Sequence, residues 1–545
     1  MRLDVAQKQV LGAGLLASYY KSPQKVLYEA NDADTATTTV QVAAQVPTDA
    51  SDVIDPDFPG LAFEQASFVR YAQNDAGDIN EFSTNLMEAI YSRTRGKPII
   101  RLGGTSADYG KYLPGQEEPA LPVAEQDNYQ DVGHTTIGPS FWPITKNFPN
   151  ATYMIQVPMA TTNISETIAW TQSAVDAIGI DNIHSIQPGN EANLYTDTFT
   201  GEGGIALHPP EYQGTLSNES YVGNWTNYVA AIKAAVSLPE GRFFTAFDVS
   251  THFGANVQAE SYIFAVDRCF DLGIDDGNVV KEVSHHYYQN QAGTAADLGS
   301  QLMAMSVTHT HLDQYKVRIS WLRANKPDVP FILNEVGNSL QRQNIYEYQA
   351  RLGSALWQVD FYLYSMAMGV ARINWQQIMH SGFDLWMPVA SAGMAPQVFA
   401  NYYSQPFVAD FIGSSGSTRV AMLDLDSAAT NVAAYVAYEG DAPKRIALAN
   451  LNYWNRTSSA EDRGNVTVAF ELPDSAPESV TVHRLSSPDG AGADATTITY
   501  AGSQWTYASG GTEVKGVRDD SEEVTVTDGV ASVTVLSSEA LLITW

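Results

Sequence analysis

Between about residues 60 and 400, short apolar runs alternate with stretches of helical period. The runs are Leu61–Glu64, Pro98–Leu102, Thr152–Val157, Ile183–Gln187, Phe243–Phe247, Val279–Tyr287, Phe331–Asn334 and Ala371–Trp375. Their length and composition predict strands. Amphipathic helices are predicted between them over Glu81–Arg95, Ser165–Ile178, Trp225–Ser237, Ala259–Leu272, His311–Ala324 and Ile345–Met368. Strands alternating with helices imply right-handed βαβ units and a parallel sheet. Eight such units closed on themselves make a (β/α)8 barrel. A doubly wound open sheet would usually carry a Gly-rich phosphate turn after its first strand, and none is present here.

After residue 400 the pattern changes. Segments such as Asn465–Leu472, Ser479–His483 and Glu523–Thr527 alternate with period two between turns rich in Gly, Asp, Pro and Ser, and no long helical period appears. This predicts an all-β sandwich. An early β-branched stretch, Thr38–Val46, has no barrel partner and is expected to join it. The organisation is therefore an α/β chain: a (β/α)8 catalytic barrel over residues 52–400 and a β-sandwich over 401–545 that also takes residues 35–48. The 545 residues leave room for both.

Composition narrows the function. The net charge of −31 opposes binding to nucleic acid, anionic membranes or long sulfated polysaccharides. No apolar run reaches the roughly 18 residues a membrane span needs. Cys269 is the only cysteine, which rules out an intrachain disulfide and a zinc site built from several cysteines. The 28 Tyr and 10 Trp suit a surface that stacks on sugar rings. Asn150, Asn163, Asn218, Asn224, Asn455 and Asn465 are N-glycosylation acceptors in sequence and favour a secreted, extracellular protein. The short apolar stretch Val10–Ala17 is only a weak signal-like segment.

Barrel chemistry sits at the C-terminal ends of the strands. The fourth strand ends in Gly189-Asn-Glu191 and the seventh in Asn334-Glu335. These tips lie across the barrel mouth, where two carboxyl groups can flank a glycosidic bond. The sixth strand ends in His285-His-Tyr-Tyr288. Alternation puts His285 and Tyr287 on one face and His286 and Tyr288 on the other. With His285 and Tyr287 assigned to the mouth, Tyr287 is placed to donate to Glu335 and hold it ionised. Adjacent histidines point apart and no third ligand is evident, so no metal site is expected. The second strand ends in Gly103-Gly-Thr105 with Asp108 beyond, as though to let a ligand approach the backbone.

Arg101-Leu-Gly-Gly-Thr-Ser-Ala-Asp, Gly189-Asn-Glu, His285-His-Tyr-Tyr and Asn334-Glu-Val-Gly-Asn-Ser together resemble glycoside hydrolase family 79, the β-glucuronidase and heparanase family within clan A. Ile137-Gly-Pro-Ser-Phe-Trp-Pro and the stretch from Asn374-Trp to Trp386-Met-Pro are similar to its fungal branch. The resemblance implies Glu191 as acid/base, with a raised pKa, and Glu335 as an ionised nucleophile. It places Asn190 on the sugar 2-hydroxyl, Thr105, His285 and Tyr287 beside substrate or the carboxylates, and Glu64 on sugar hydroxyls. It implies no cofactor. Where the family often has tyrosines that read a uronic carboxylate, this chain has Leu340 and Phe383. Backbone N–H groups near Gly337–Ser339 and Gly382–Phe383 are the expected substitutes. The activity expected is a retaining, exo-acting β-glucuronidase removing terminal glucuronic acid, 4-O-methylated or not, from glycans such as arabinogalactan. The alternatives are a clan A hydrolase of a neutral sugar, a heparanase-like endo-hydrolase, and a carbohydrate-binding protein without catalysis.

Overall fold

The computed structural model describes residues 36–121, 135–195, 216–251, 264–290, 297–340, 345–425, 429–457, 459 and 462–545. After a first strand, β1 (Ala36–Gln41), eight strands follow: β2 (Pro59–Glu64), β3 (Ile99–Gly103), β4 (Thr152–Val157), β5 (Ile183–Pro188), β6 (Phe244–Val249), β7 (Val280–Asn290), β8 (Phe331–Ser339) and β9 (Ile373–Gln377). They pair in parallel in chain order, and β9 returns to β2 through Ile373↔Pro59 to Gln377↔Phe63, closing the barrel. Every predicted strand is present. Strands β7 and β8 run further than expected, to Asn290 and Ser339, so their ends rise above the mouth.

The barrel interior is layered. Ile99, Met154 and Ile332 form a small apolar plug. Two residues further along their strands, Arg101, Gln156 and Asn334 replace the usual branched aliphatic layer. Residues of the other parity, such as Ile100, Leu102 and Ile155, pack into the main core with the helices.

The helices include α1 (Glu81–Thr94), α2 (Ile164–Ile178), α3 (Asn218–Ala235), α4 (Val266–Asp271), α5 (Met305–Asp313), α6 (Lys316–Asn325) and α7 (Leu352–Met368). Helix α3 starts seven residues before its predicted Trp225, because Ser217 and Ser220 form a capping box ahead of the apolar face. The predicted helix over His311–Ala324 is two helices, parted at Gln314 and Tyr315, and the predicted Ile345–Met368 segment is interrupted between Tyr348 and Leu352. Of the predicted Ala259–Leu272 helix, residues 259–263 lie outside the described residues, as do residues 10–17. Helix α7 is buried on almost every side, because the β domain covers the face turned from the barrel.

A helix not expected lies beyond the predicted barrel boundary. Helix α8 (Ser404–Ile412) follows residue 400, yet it packs on α1 and α7 as part of the barrel's outer layer. Pro406 sits in its first turn, where its missing N–H is no loss. The β domain itself contains β10 (Thr418–Leu423), β11 (Val432–Glu439), β12 (Ala442–Asn450), β13 (Asn465–Glu471), β14 (Ser479–Ser486), β15 (Ser521–Thr525), β16 (Val530–Leu536) and β17 (Glu539–Thr544). One sheet runs β10-β11-β12-β17-β14, with β15 on β14, and the other runs β1-β13-β16. The early strand thus joins the sandwich, in parallel with β13 from Ala36↔Val466 to Gln41↔Glu471. Val468, Phe470, Val533, Leu541 and Ile543 fill the space between the sheets.

Barrel and sandwich are joined by polar as well as apolar contacts. Asp360 of α7 is fully buried and accepts from Tyr435 Oη of β11 at 2.6 Å, with His309 Nε2 of α5 at 3.1 Å. Leu352 and Gly353 donate backbone N–H groups to Ala493 and Ala491, both at 2.9 Å. Tyr435→Phe removes one of the two partners of a buried carboxylate. It is expected to lower unfolding free energy by about 1–3 kcal/mol, measured as a lower denaturant midpoint at unchanged slope; an unchanged midpoint would show that this contact does not hold the domains together.

Candidate active site

Glu335 reaches the mouth through an irregularity in β8. His285 pairs with Leu333 and His286 with Glu335, so Asn334 is skipped in the ladder and both Asn334 and Glu335 turn toward the lumen. Bulges of this kind re-aim side chains beside active sites. The Glu335 carboxylate accepts from Arg101 Nη1 at 2.6 Å and from Tyr288 Oη at 2.6 Å. Glu191 follows the end of β5 in the left-handed region, with φ 48°. Its N–H donates to the Asp248 carbonyl at 2.8 Å, and its Oε1 meets His286 Nδ1 at 2.9 Å. Oxygen atoms of Glu191 and Glu335, with a ring nitrogen of His286, lie within 4.8 Å of one another.

Arg101 is the hub beneath this pair. It is fully buried and also donates to Gln156, Asn190 and Asp248, at 2.9, 2.6 and 2.9 Å. Burial opposes its charge, but Asp248 and Glu335 more than restore it, and the guanidinium stays charged. The imidazole of His286 is also fully buried, and its Nε2 lies 3.0 Å from Asp248 Oδ2. Burial again works against the cation, but Asp248 and then Glu335 push its pKa up to about 10. Burial alone would raise Asp248, yet His286 and Arg101 hold it well below the usual carboxylate range. Glu191, His286 and Glu335 could in principle offer three ligand atoms to a metal ion. Arg101 and protonated His286 already supply the positive charge that such an ion would bring.

The structure reverses one expectation. His285 and Tyr287 point away from the mouth, into the helix layer: His285 packs on Tyr315 and Phe331, and Tyr287 on Phe361 with its hydroxyl on Gln289. Tyr288, not Tyr287, donates to Glu335, and His286, not His285, meets Glu191. The alternation was right and the face was wrong. In this barrel the polar parity of β7 (Glu282, Ser284, His286) faces inward, and Val283 faces out.

Other expected residues fall into two groups. Asn190 gives its Oδ1 to Arg101 and has no hydrogen bond on Nδ2 among the described residues, which leaves that amide for a ligand. Thr105 lines a small cavity with Asn190 and Glu191. Phe383 stands at the mouth with its ring 5.5 Å from Tyr288. Glu64 accepts from the Ser106 N–H at 2.9 Å and from Gln376 at 3.3 Å; burial, aided by Glu335, lifts its pKa to about 7. The glycine pair serves the protein's own side chains. A Cβ on Gly104 would lie 1.8 Å from the Glu64 carboxylate, and one on Gly103 would lie 2.3 Å from Gln156. Asp108 clamps the segments that follow β4 and β5, accepting from the N–H groups of Met159, Ala160 and Asn190. Part of the backbone nest expected for a carboxylate is otherwise engaged. The Gly382 N–H is taken by Asp384 at 2.8 Å, and Gly337–Ser339 lie within paired β8.

Sequence reasoning left Arg101 without a role and missed Asp248, His286 and Tyr288. Asp248 closes β6, so the criterion that found Glu191 and Glu335 would have found it had the strand been carried one residue past Phe247.

A closed (β/α)8 barrel with two glutamates at its mouth and a β-sandwich behind it is the frame of a glycoside hydrolase. Residues 434–542 match the glycosyl hydrolase family 79 C-terminal beta domain. The chain is 26% identical to a β-glucuronidase of Aspergillus niger over 94% of its own length and 95% of that protein's. It is also 26% identical to a β-glucuronidase of Neurospora crassa, over 80% and 81% of the two chains. Among solved structures it is similar to a 4-O-α-L-rhamnosyl-β-D-glucuronidase from Fusarium oxysporum, with TM-score 0.74, 19% identity and coverage of 93% and 100%. A family 51 α-L-arabinofuranosidase from Bifidobacterium longum shares the fold at TM-score 0.60 and 14% identity, with coverage of 93% and 99%. The chain thus carries the family 79 C-terminal domain and is similar over most of its length to fungal β-glucuronidases.

Two outcomes follow from the geometry. Tyr288→Phe removes a charge-assisted hydrogen bond from Glu335 and should reduce kcat/KM by about 10- to 100-fold, whereas Tyr287→Phe should stay within about twofold; the opposite ranking in steady-state kinetics would restore the first assignment. Stability should also depend on pH. Burial raises Glu64 to about 7, Asp108 to about 6 and Asp384 to about 7, so these groups favour the folded state when protonated and disfavour it as pH rises through those values. Asp248 and Glu282 are shifted down by their cationic neighbours despite burial, and they contribute stability that is lost on acidification below the ordinary carboxylate range. From these carboxyl groups the melting temperature should rise with pH up to about 4 and fall between there and about 7. A melting temperature that climbs steadily to pH 8 would contradict these assignments.

Proposed function

We propose that this chain is a retaining, exo-acting β-glucuronidase that removes terminal glucuronic acid from glycans. The observation that carries the retaining mechanism is the approach of the Glu191 and Glu335 carboxylates within 4.8 Å. Retaining enzymes place their carboxyl groups about 5–5.5 Å apart, whereas inverting enzymes leave room for a water. Glu335, anchored by Arg101 and Tyr288, attacks the anomeric carbon. Glu191 protonates the leaving oxygen, and the aglycone departs. Water then enters on the same face, Glu191 takes its proton, and the glycosyl ester to Glu335 is broken. Asn190 Nδ2 is positioned to donate to the sugar 2-hydroxyl, an interaction that strengthens in the transition state. The fungal β-glucuronidases to which the chain is similar support the sugar assignment. The net charge of −31 speaks against an endo-acting enzyme on sulfated chains.

One observation favours a second reading. Leu340 and Phe383 offer no hydroxyl, and the Gly382 N–H is already occupied, which removes most of the groups expected to read a uronic carboxylate. A neutral β-glycoside is the substrate on that reading. No helix among the described residues is long and apolar enough to cross a membrane. Asn150 and Asn163 are exposed, which supports N-glycans on a secreted enzyme.

A panel of p-nitrophenyl β-glycosides at mildly acidic pH, with Glu335→Gln beside the wild type, tests these readings together. Release from the glucuronide alone, abolished in the variant, is expected. Release from the glucoside or galactoside would keep the mechanism and overturn the sugar, and turnover that survives Glu335→Gln would remove the nucleophile.

A further inference from the structure

Asp248 does not reach the mouth, since it is 1% exposed, yet it touches the supports of both glutamates. Its Oδ2 accepts from Arg101 at 2.9 Å and from Gln187, and lies 3.0 Å from His286 Nε2. Its Oδ1 accepts from Ser284 at 2.6 Å and from Asn334 at 3.1 Å. Its carbonyl accepts the Glu191 N–H at 2.8 Å. The residue is held in an unusual backbone. Phe247 and Asp248 are consecutive non-glycine residues in the left-handed region, with φ 76° and 47°, and the Phe247 N–H donates to the Tyr221 hydroxyl at 2.6 Å. Strain of this kind persists where surrounding contacts over-determine it, and it clusters at active sites.

We propose that Asp248 is a positioning residue that keeps His286 as an imidazolium between the two glutamates, so that His286 donates to Glu191 throughout the catalytic cycle. The inference rests on the reading of Glu191 and Glu335 as the catalytic pair. Its basis is the placement of both ring nitrogens. Nδ1 meets Glu191 at 2.9 Å, and Nε2 lies 3.0 Å from Asp248 Oδ2 in an ion-pair contact outside hydrogen-bond geometry, so a carboxylate stands close to each ring nitrogen. A neutral imidazole has one donor and one lone pair, and the lone pair would face an anion. Glu335 from β8 lies 3.8 Å from the ring, Arg101 from β3 shares Asp248 and Glu335 with it, Glu64 from β2 interacts with Glu335, and neighbouring His285 is held neutral by burial. Of the two nearest anions, only Asp248 is fully sequestered, and it keeps its charge through turnover. Glu191 changes protonation in each cycle. Its transferable proton sits on the oxygen that does not face His286. When that proton passes to the glycosidic oxygen, the carboxylate left behind is opposite a fixed cation, and His286 keeps both of its own protons.

The test has two arms. In the wild type labelled with nitrogen-15 at histidine, with His286→Gln used to assign the resonance, both ring nitrogens of His286 should show imidazolium shifts from pH 5 to 8. A neutral ring below pH 7 overturns the proposal, and this measurement is independent of any substrate. In Asp248→Asn a buried negative charge is lost, so neighbouring groups release protons more easily. Both limbs of the kcat/KM–pH profile, measured on whichever p-nitrophenyl glycoside the wild type cleaves, should move to lower pH by about one unit. Asp248→Glu should bring them back. A merely structural role predicts loss of rate with both limbs unmoved, and that result overturns the proposal. If no glycoside in the panel is cleaved, the glycosidase reading fails while the resonance measurement still decides the state of His286.

Discussion

The guanidinium of Arg101 inside a closed barrel is the constraint around which the rest of the site is arranged. A fully buried cation is tolerated only when its donors are met by good acceptors. Arg101 has five: Gln187, Gln156, Asn190, Asp248 and Glu335, drawn from strands β4, β5, β6 and β8 and from the tip of β5. This accounts for the polar layer that stands where a barrel ordinarily packs branched aliphatics. It also fixes Glu335 without a ligand, because its Oε2 is one of the acceptors that the guanidinium requires. Replacing Arg101 by a lysine would keep the charge and lose the planar array of donors that spans these strands.

Departures from regular strand geometry concentrate at the same height. Asn334 is skipped in the β7–β8 ladder, Phe247 and Asp248 adopt left-handed backbones at the end of β6, and Glu191 does so just beyond β5. Each such residue costs about 1–3 kcal/mol. Regular strands would send alternate side chains outward and could not deliver Asn334 and Glu335 together to the lumen. The irregularities concentrate carboxylates, an amide and two cations within a few ångströms, and hydrogen bonds to the Tyr221 hydroxyl and to the Asp248 carbonyl hold the backbone there.

The strands were legible because they are short apolar runs, and the two glutamates because they end such runs. What alternation could not supply was the absolute face of β7. Both parities of His285-His-Tyr-Tyr288 carry one histidine and one tyrosine, so this tetrapeptide is symmetric to the swap. The upstream residues break the symmetry, since Glu282 and Ser284 share a parity with His286 and can be satisfied only among the polar groups of the lumen, by Arg372, Thr245 and Asp248. Glycines invite a similar error. Gly103 and Gly104 suggested access for a ligand, but the space they leave is filled by Gln156 and Glu64, a tertiary fact with no local signature. Helix α8 was invisible for another reason: it is short and buried on nearly all sides, so it has no polar face to reveal a period.

The charges of the site bear on how an overall acidic protein can admit an anionic sugar. Arg101 and His286 are two buried cations, and Asp248 and Glu335 are their two anions, so this quartet is neutral at close range. The remaining carboxyl groups at the mouth are Glu191, the proposed acid, and Glu64, which burial lifts to about 7. Below neutrality Glu64 is mostly uncharged, and a glucuronate then meets less negative charge within a Debye length of about 8 Å. Above neutrality Glu64 ionises beside Glu335, and the same pocket becomes repulsive to the substrate's carboxylate. The distant field of the −31 surface is screened over that length, and the immediate neighbourhood decides. For a glucuronide, the burial of Glu64 therefore sets an upper pH bound on productive entry, independently of the acid/base chemistry of Glu191.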